Sequence, residues 1–217
     1  MERCPCRYLR GLLIYLIPKT EGVSEDIRKW RPITLLNTSY KIFAKLLSCR
    51  LQEVLPKIIH VSQTRFMRER NIMNNVFTFW EATAVAVKNK QNLAMLLLDF
   101  EKAYDRVDWI FLEGTMHHLC FNMTWIKGIS CLYRNAHSQV LLAGGVGPWF
   151  NITRSVRQGC PLAPFLFLLF AEAMHLFISS QSMGLHGLAM PMHGQDILDS
   201  EFADDTALYV DGTLPNL

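Results

Sequence analysis

The chain has 217 residues, half of them hydrophobic, with a mean hydropathy of +0.13 and a net charge of +3. This composition excludes a disordered chain, and the length admits one large domain or two small ones with a real core. The apolar runs Gly11–Ile17 and Phe165–Phe177 are too short, or too interrupted by Glu172 and His175, for the ~20 residues of a spanning helix. No membrane partner is therefore expected. The start, "MERCPCRYLRGLLIYLIPK", lacks the small-residue cleavage site of a signal peptide.

Charge is unevenly spread. Residues 1–70 carry 14 Lys and Arg against 6 Asp and Glu, while residues 71–217 carry 8 against 13. A basic front suits a polyanion; an acidic rear suits something that needs carboxylates. Solvated helix faces would give the same asymmetry. The six cysteines, at 4, 6, 49, 120, 131 and 160, form no C-x-x-C pair and no zinc spacing, and are expected as scattered core residues or reduced thiols, which fits an intracellular setting.

In chain order, "LLIYLIPK" predicts a strand ended by Pro18, and "TEGVSEDIRKWRPIT" a polar loop. "NTSYKIFAKLLSCRLQEVL" predicts a helix capped by Asn37 or Thr38. Ile42, Leu46, Leu47, Leu51 and Leu55 form its apolar face, Lys41, Lys45 and Arg50 the opposite one, and Pro56 its end. "HVSQTRFMRERNIMNN" is a basic loop in which Arg65, Arg68 and Arg70 surround Phe66 and Met67. That mixture suits phosphates and a stacked base, or a solvated loop with one buried anchor. A second helix follows from Ile72.

"NLAMLLLDFEKAYDRVDW" carries a continuous apolar run, Leu93 to Leu98, that predicts a buried central strand ending at Asp99. A carboxylate at such a strand exit is costly unless paired or metal-bound. Two helices are expected next, with His117 and His118 structural and Asp105 and Asp108 capping. "QVLLAGGVGPWFNITRSV" predicts a hairpin turning on Gly144, Gly145 and Gly147. A Gly/Pro turn then leads to a long buried helix, and "DILDSEFADDTALYVDG" to a strand–turn–strand.

The adjacent Asp204 and Asp205 sit at that last turn. A solvated hairpin tip is the plain explanation of such a pair. A third acid, Asp99, also at a strand end, makes divalent-metal binding the sharper one, because hard cations take several oxygen ligands. Two ions held about 3.5–4 Å apart by such acids catalyse in-line phosphoryl displacement.

At these residues the sequence resembles a known family. "LLLDFEKAYDRVDW", "VRQGCPLAPFLF" and "FADDTALYV" resemble three successive palm motifs of reverse transcriptases of LINE-type non-LTR retrotransposons. "LIPKTEGVSEDIRKWRPITLLNTSYKIFAKLLSCRL" and "SQTRFMRERNIMNNV" resemble their fingers motifs. The resemblance implies an α+β right-hand polymerase, its antiparallel palm sheet packed on helices and its thumb absent. Residues 1–92 would be fingers and 93–217 a truncated palm.

The implied activity is RNA-directed DNA polymerisation: dNTPs added to a primer 3′-OH by two-metal catalysis, with two Mg2+ ions or Mn2+. The alternative is an inactive retroelement remnant that at most binds nucleic acid. The family pattern makes Asp99, Asp204 and Asp205 catalytic and metal-binding, with the carbonyl of Phe100 completing a metal shell. It makes Tyr104 the steric gate against a 2′-hydroxyl. Gln158, Gly159, Arg31 and Lys19 would hold the nucleotide, and Arg65, Phe66, Arg68, Arg70 and Arg157 the template, Arg157 being equally readable as a structural residue. Partners would be an RNA template with a DNA primer and dNTPs, inside a retroelement ribonucleoprotein of the nucleus or cytoplasm. Oligomeric state is not legible. The chain departs from the pattern at Arg65, Glu69 and Ser155, where glycine is usual, and at Ala163, where serine is frequent.

Overall fold

The computed structural model describes residues 11–19, 26–142, 145–180, 184–190 and 196–212. The chain divides into two compact units, each discontinuous in sequence. One comprises Met1–Leu51 and Tyr104–Phe167, the other Gln52–Ala103 and Leu168–Leu217.

The first unit holds a sheet built on β1 (Gly11–Pro18). It pairs antiparallel with β2 (Trp30–Leu35) and parallel with β4 (His137–Leu142). Short strands β5 (Gly145–Val146) and β6 (Phe150–Asn151) pair back onto β4. The hairpin expected here is present, although its turn at Gly144 lies outside the described residues. β2 corrects the sequence reading, which makes the segment through Thr34 a loop. Pro32 gives it the look of a loop, but β2 is the outer strand, where a missing N–H donor is tolerated.

Helix α1 (Thr38–Ile58) starts where Asn37 Oδ1 accepts from the Tyr40 N–H at 2.7 Å, so Asn37 is its cap. Its buried stripe is Tyr40, Ala44, Leu47, Leu51 and Leu55. Ile42 and Leu46, expected in it, are 66% and 50% exposed. Counting only large aliphatics put the stripe a step out of phase, because Tyr40 and Ala44 carry it. Nor does Pro56 end the helix. It lies inside the last turn, and α1 continues to Ile58. In the first unit, Asp108 caps α4 (Trp109–His118) through the Phe111 N–H at 2.9 Å, as expected. Asn122 caps α5 (Met123–Tyr133) through the Thr124 N–H at 2.7 Å. His117 and His118 are both exposed in the last turn of α4. The short α3 (Ala103–Arg106) precedes α4, and α6 (Ala163–Ile178) is the long helix after the Gly/Pro turn.

The second unit contains α2 (Ile72–Asn89), capped by Asn71 with Asn74 reciprocating. Its sheet is antiparallel, in the order β3 (Leu93–Asp99), β8 (Asp205–Asp211), β7 (Asp199–Phe202). Alternation along β8 sends Tyr209 to one face, against Ala82 and Ala86 of α2. Leu208 and Val210 go to the other, against Ile178 and Met174 of α6. The expectation of a buried central strand at Leu93–Leu98 fails. β3 is the outer strand, and Met95, Leu96 and Leu97 are 42%, 54% and 77% exposed. Apolar content marked the strand correctly but not its place in the sheet.

Cys49, Cys120 and Cys160 are free thiols, but Cys131 is disulfide-bonded, which corrects the reading of all six as core residues or reduced thiols. No helix among the described residues is long and apolar enough to cross a membrane.

Candidate active site

The hairpin β7–β8 turns on two residues, Ala203 and Asp204, because Phe202 pairs with Asp205. On its other side β8 pairs with β3, and the register sets Asp99 directly opposite Asp205. Residues opposite one another in an antiparallel pair project to the same face with Cβ atoms about 4.5–5.5 Å apart. Asp99 and the pair Asp204 and Asp205, more than a hundred positions apart in the chain, thus meet at one end of one sheet. Asp99 and Asp205 are exposed, Asp204 half-buried.

Like charges directly opposite are destabilising on their own. The Asp205 carboxyl is pushed up from the ordinary carboxylate range by partial burial and by the charges of Asp204 and Asp99, while Arg65 pulls it down. That is an excess of negative charge which a cation relieves. The donors are hard oxygens, the type divalent ions of the Mg2+ class take. The Phe100 carbonyl follows directly. It accepts from Ala103 N–H at 3.3 Å. The Phe100 ring meets Phe170 edge-on at 6.3 Å.

In the first unit, the Tyr104 ring stacks on buried Phe167, centroids 5.1 Å apart and planes 9° from parallel. Its main-chain carbonyl accepts from the Val156 N–H at 2.8 Å. Gln158 and Gly159 lie against β2. Thr34 N–H donates to the Gln158 carbonyl at 2.9 Å, and a Cβ on Gly159 would come within 3.1 Å of the Thr34 carbonyl oxygen. With φ at +99°, Gly159 has both steric and conformational reason to be glycine. Arg31, on β2, and Lys19, just past β1, are exposed.

The five residues grouped as template-binding divide. Arg65 lies 4.5 Å above the Phe202 ring and 5.0 Å from that of Phe66. Phe66 and Arg68 are exposed, with Met67 as the buried anchor. Arg70 is committed to the main chain, its guanidinium donating to the carbonyls of His60 (2.6 Å), Gln63 (2.9 Å) and Ile59 (3.3 Å). Arg157 is 2% exposed and lies between the rings of Tyr40 and Tyr133, at 5.1 and 4.9 Å. It donates to Tyr40 Oη at 2.6 Å. A side chain so enclosed packs within the core of its unit.

The sequence reading misses a polar network beside the hairpin, with His175 and Asp199 buried and His60 exposed. His60 and His175 stack at 4.0 Å, and His175 Nδ1 is 2.8 Å from Asp199 Oδ2, which also accepts from Ser62 Oγ at 3.1 Å. Burial disfavours the charged form of His175, but the hydrogen bond and charge of Asp199 outweigh it and raise its pKa. Potential ligand atoms of His60, His175 and Asp199 all lie within 4.8 Å of one another. The rings are only 15° from parallel, however, so their in-plane lone pairs do not converge as two ligands of one ion require. The contacts present are those of a hydrogen-bonded network. Glu201, 1% exposed, is pushed up to about 8, by burial first and then by Asp199. Nothing in the spacing of residues 60, 175, 199 and 201 signals this cluster; only the fold brings them together.

An α+β chain with three acids at one end of an antiparallel sheet has the form of a polymerase palm, and comparison with solved structures agrees. The chain superposes on apo telomerase from Candida tropicalis truncated from its C-terminal domain, with a TM-score of 0.61 and 16% identity. The match covers 96% of this chain and 45% of that one. The fold is that of the fingers and palm of right-hand polymerases. The family model for reverse transcriptase (RNA-dependent DNA polymerase) matches residues 17–214, and the chain belongs to that family. It is 35% identical over 199 residues to the transposon TX1 uncharacterized 149 kDa protein of Xenopus laevis, covering 92% of this chain and 15% of that protein. It is 26% identical over 172 residues to the Pol polyprotein of type-1 retrotransposable element R2 of Nasonia vitripennis, covering 79% and 16%. The relatives are non-LTR retrotransposon proteins, and this chain spans a small part of their length.

Proposed function

We propose that this chain is the polymerising unit of a non-LTR retrotransposon protein, adding dNTPs to the 3′-OH of a DNA primer on an RNA template. The observation that carries the reading is the pairing of Asp99 with Asp205 beside Asp204. Asp99, Asp204, Asp205 and the Phe100 carbonyl would hold two Mg2+ ions, or Mn2+ in their place. Bound there, the ions supply a lowered pKa for the attacking hydroxyl and charge stabilisation for the leaving oxygen. The acids orient them, and the ladder between β3 and β8 fixes the spacing of Asp99 and Asp205.

Within the first unit, Tyr104, held flat by Phe167, acts as a gate against the 2′-hydroxyl of an rNTP. The Gln158–Gly159 segment and exposed Arg31 and Lys19 suit contacts to the nucleotide, the guanidinium fork matching phosphate oxygens. Residues 1–92 as fingers and 93–217 as palm remain the proposed division of labour. Arg65, Phe66 and Arg68 are left as the template contacts.

Primer extension on a primed RNA template tests this. Mg2+-dependent dNTP incorporation is expected. Asp204→Asn should lower it by more than about 100-fold, beyond the range for losing a group one shell further from a metal. Tyr104→Ala should admit rNTPs. Salt-sensitive RNA binding without incorporation, unchanged in an Asp99 variant, would instead assign the chain as a silent remnant.

A further inference from the structure

The hairpin that carries Asp204 and Asp205 is held from outside as well as by its own ladder. Ala203, immediately before Asp204, has φ at +60°, a conformation that costs an L-residue roughly 1–2 kcal/mol. The two-residue turn demands this conformation, since Phe202 pairs with Asp205 across it. Further support comes from Gln63, 140 positions away and 1% exposed. Its Oε1 accepts from the Ala203 N–H at 2.9 Å, and its Nε2 donates to the Ala203 carbonyl at 3.3 Å. One carboxamide therefore grips both polar groups of the residue that leads into the acids.

Gln63 is itself fixed. Nε2 also donates to Glu201 Oε2 at 3.0 Å, and Oε1 also accepts from the Arg65 N–H at 3.1 Å. The main chain on either side is tied to the same strand: Glu201 N–H donates to Ser62 carbonyl at 2.9 Å and Thr64 N–H to Glu201 carbonyl at 3.0 Å. Asn75 Nδ2 donates to the Glu201 carbonyl at 2.9 Å as well. A side chain with this many fixed partners has one orientation, and passes that orientation to the turn.

We infer that Gln63 is a positioning residue for the polymerising centre, setting the turn that aims Asp204 and Asp205 by clamping the peptide groups of Ala203. The inference rests on the metal role assigned above to those acids. Fixed ligand geometry is what a divalent site needs, and outer partners that orient ligands typically account for about 10- to 100-fold in metal affinity.

The test uses the purified chain and the variant Gln63→Met, which keeps length and bulk and removes all four side-chain hydrogen bonds. Two quantities are read: amide hydrogen exchange at Ala203, and Mn2+ affinity by electron paramagnetic resonance, with Asp99→Asn as the reference for specific binding. Gln63→Met should speed exchange at Ala203 and weaken Mn2+ binding by about 10-fold or more. The double variant Gln63→Met/Ala203→Gly separates aiming from mere support. Glycine removes the cost of the positive φ, so thermal stability should recover while Mn2+ affinity stays low. Recovery of both would overturn the positioning role. So would unchanged exchange, or unchanged Mn2+ affinity, in the single variant. If the unaltered chain binds no Mn2+ in an Asp99-dependent way, the metal reading itself falls, and the exchange measurement still decides whether Gln63 clamps the turn.

Discussion

Ser155 has a φ of +106°, one an L-residue adopts only under constraint. The constraint is visible: its N–H donates to the Val107 carbonyl at 2.8 Å and its own carbonyl accepts from Trp109 Nε1 at 2.8 Å. Its hydroxyl reaches Asp105 only at 3.5 Å, too long to repay the strain. Ser155→Gly should therefore stabilise the chain by about 1 kcal/mol, the backbone cost less the added freedom of glycine when unfolded. The midpoint of thermal unfolding should rise by roughly 2–4 °C. No rise would mean that the turn is already relaxed. Glu69, at φ +64°, is a weaker case of the same kind. Both positions were legible as departures from a pattern; that Ser155 bears the larger strain was not, because strain depends on the angle imposed by neighbours.

At the level of elements, what the sequence reveals and what it hides divide along a physical line. Strand ends and helix caps are local: Asn37, Asp108 and the turn between β7 and β8 follow from residue type, and all appear where expected. Burial is not local. The run Leu93–Leu98 reads as a core strand, yet it forms the outer member of its sheet, and β8 is the central one. The distinction has a measurable consequence. Leu97, 77% exposed, should tolerate Lys within about 0.5 kcal/mol. Leu208, on β8 and 6% exposed, should lose about 2–5 kcal/mol on change to Ala. Urea unfolding of the two variants compares them directly; equal losses would contradict the sheet order. The acids escape this difficulty because their meeting needs only that β3 and β8 pair, and the motifs at both strand ends fix that. Gln63 and the His60–His175–Asp199 network lay hidden because their partners are long-range and their residue types commonplace.

At the scale of the chain, charge predicts how stability should follow pH. Net charge is only +3, so overall repulsion changes little near neutrality and the buried groups decide. Glu201 has a folded pKa of about 8 against an ordinary 4.5, so the folded state holds a proton that the unfolded state has released. The stability this group contributes is complete below 4.5 and lost as pH rises through 8, at a limiting slope of about 1.4 kcal/mol per pH unit per proton. Glu172, raised by burial, acts in the same direction. His175 is raised above 6.5, so what it contributes is present below 6.5 and lost above its folded pKa. His60, lowered first by burial and then by His175, opposes them, but its effect is complete once pH exceeds 6.5. Above that point the remaining terms share one sign. The midpoint of thermal unfolding should fall steadily between pH 6.5 and 8.5. Glu201→Gln should flatten the decline, since the amide keeps an acceptor for Gln63 Nε2 and has no proton to lose. An identical slope in the variant would show that Glu201 ionises freely in the folded chain, and would remove the neutral carboxyl from the support beneath the Ala203–Asp204 turn.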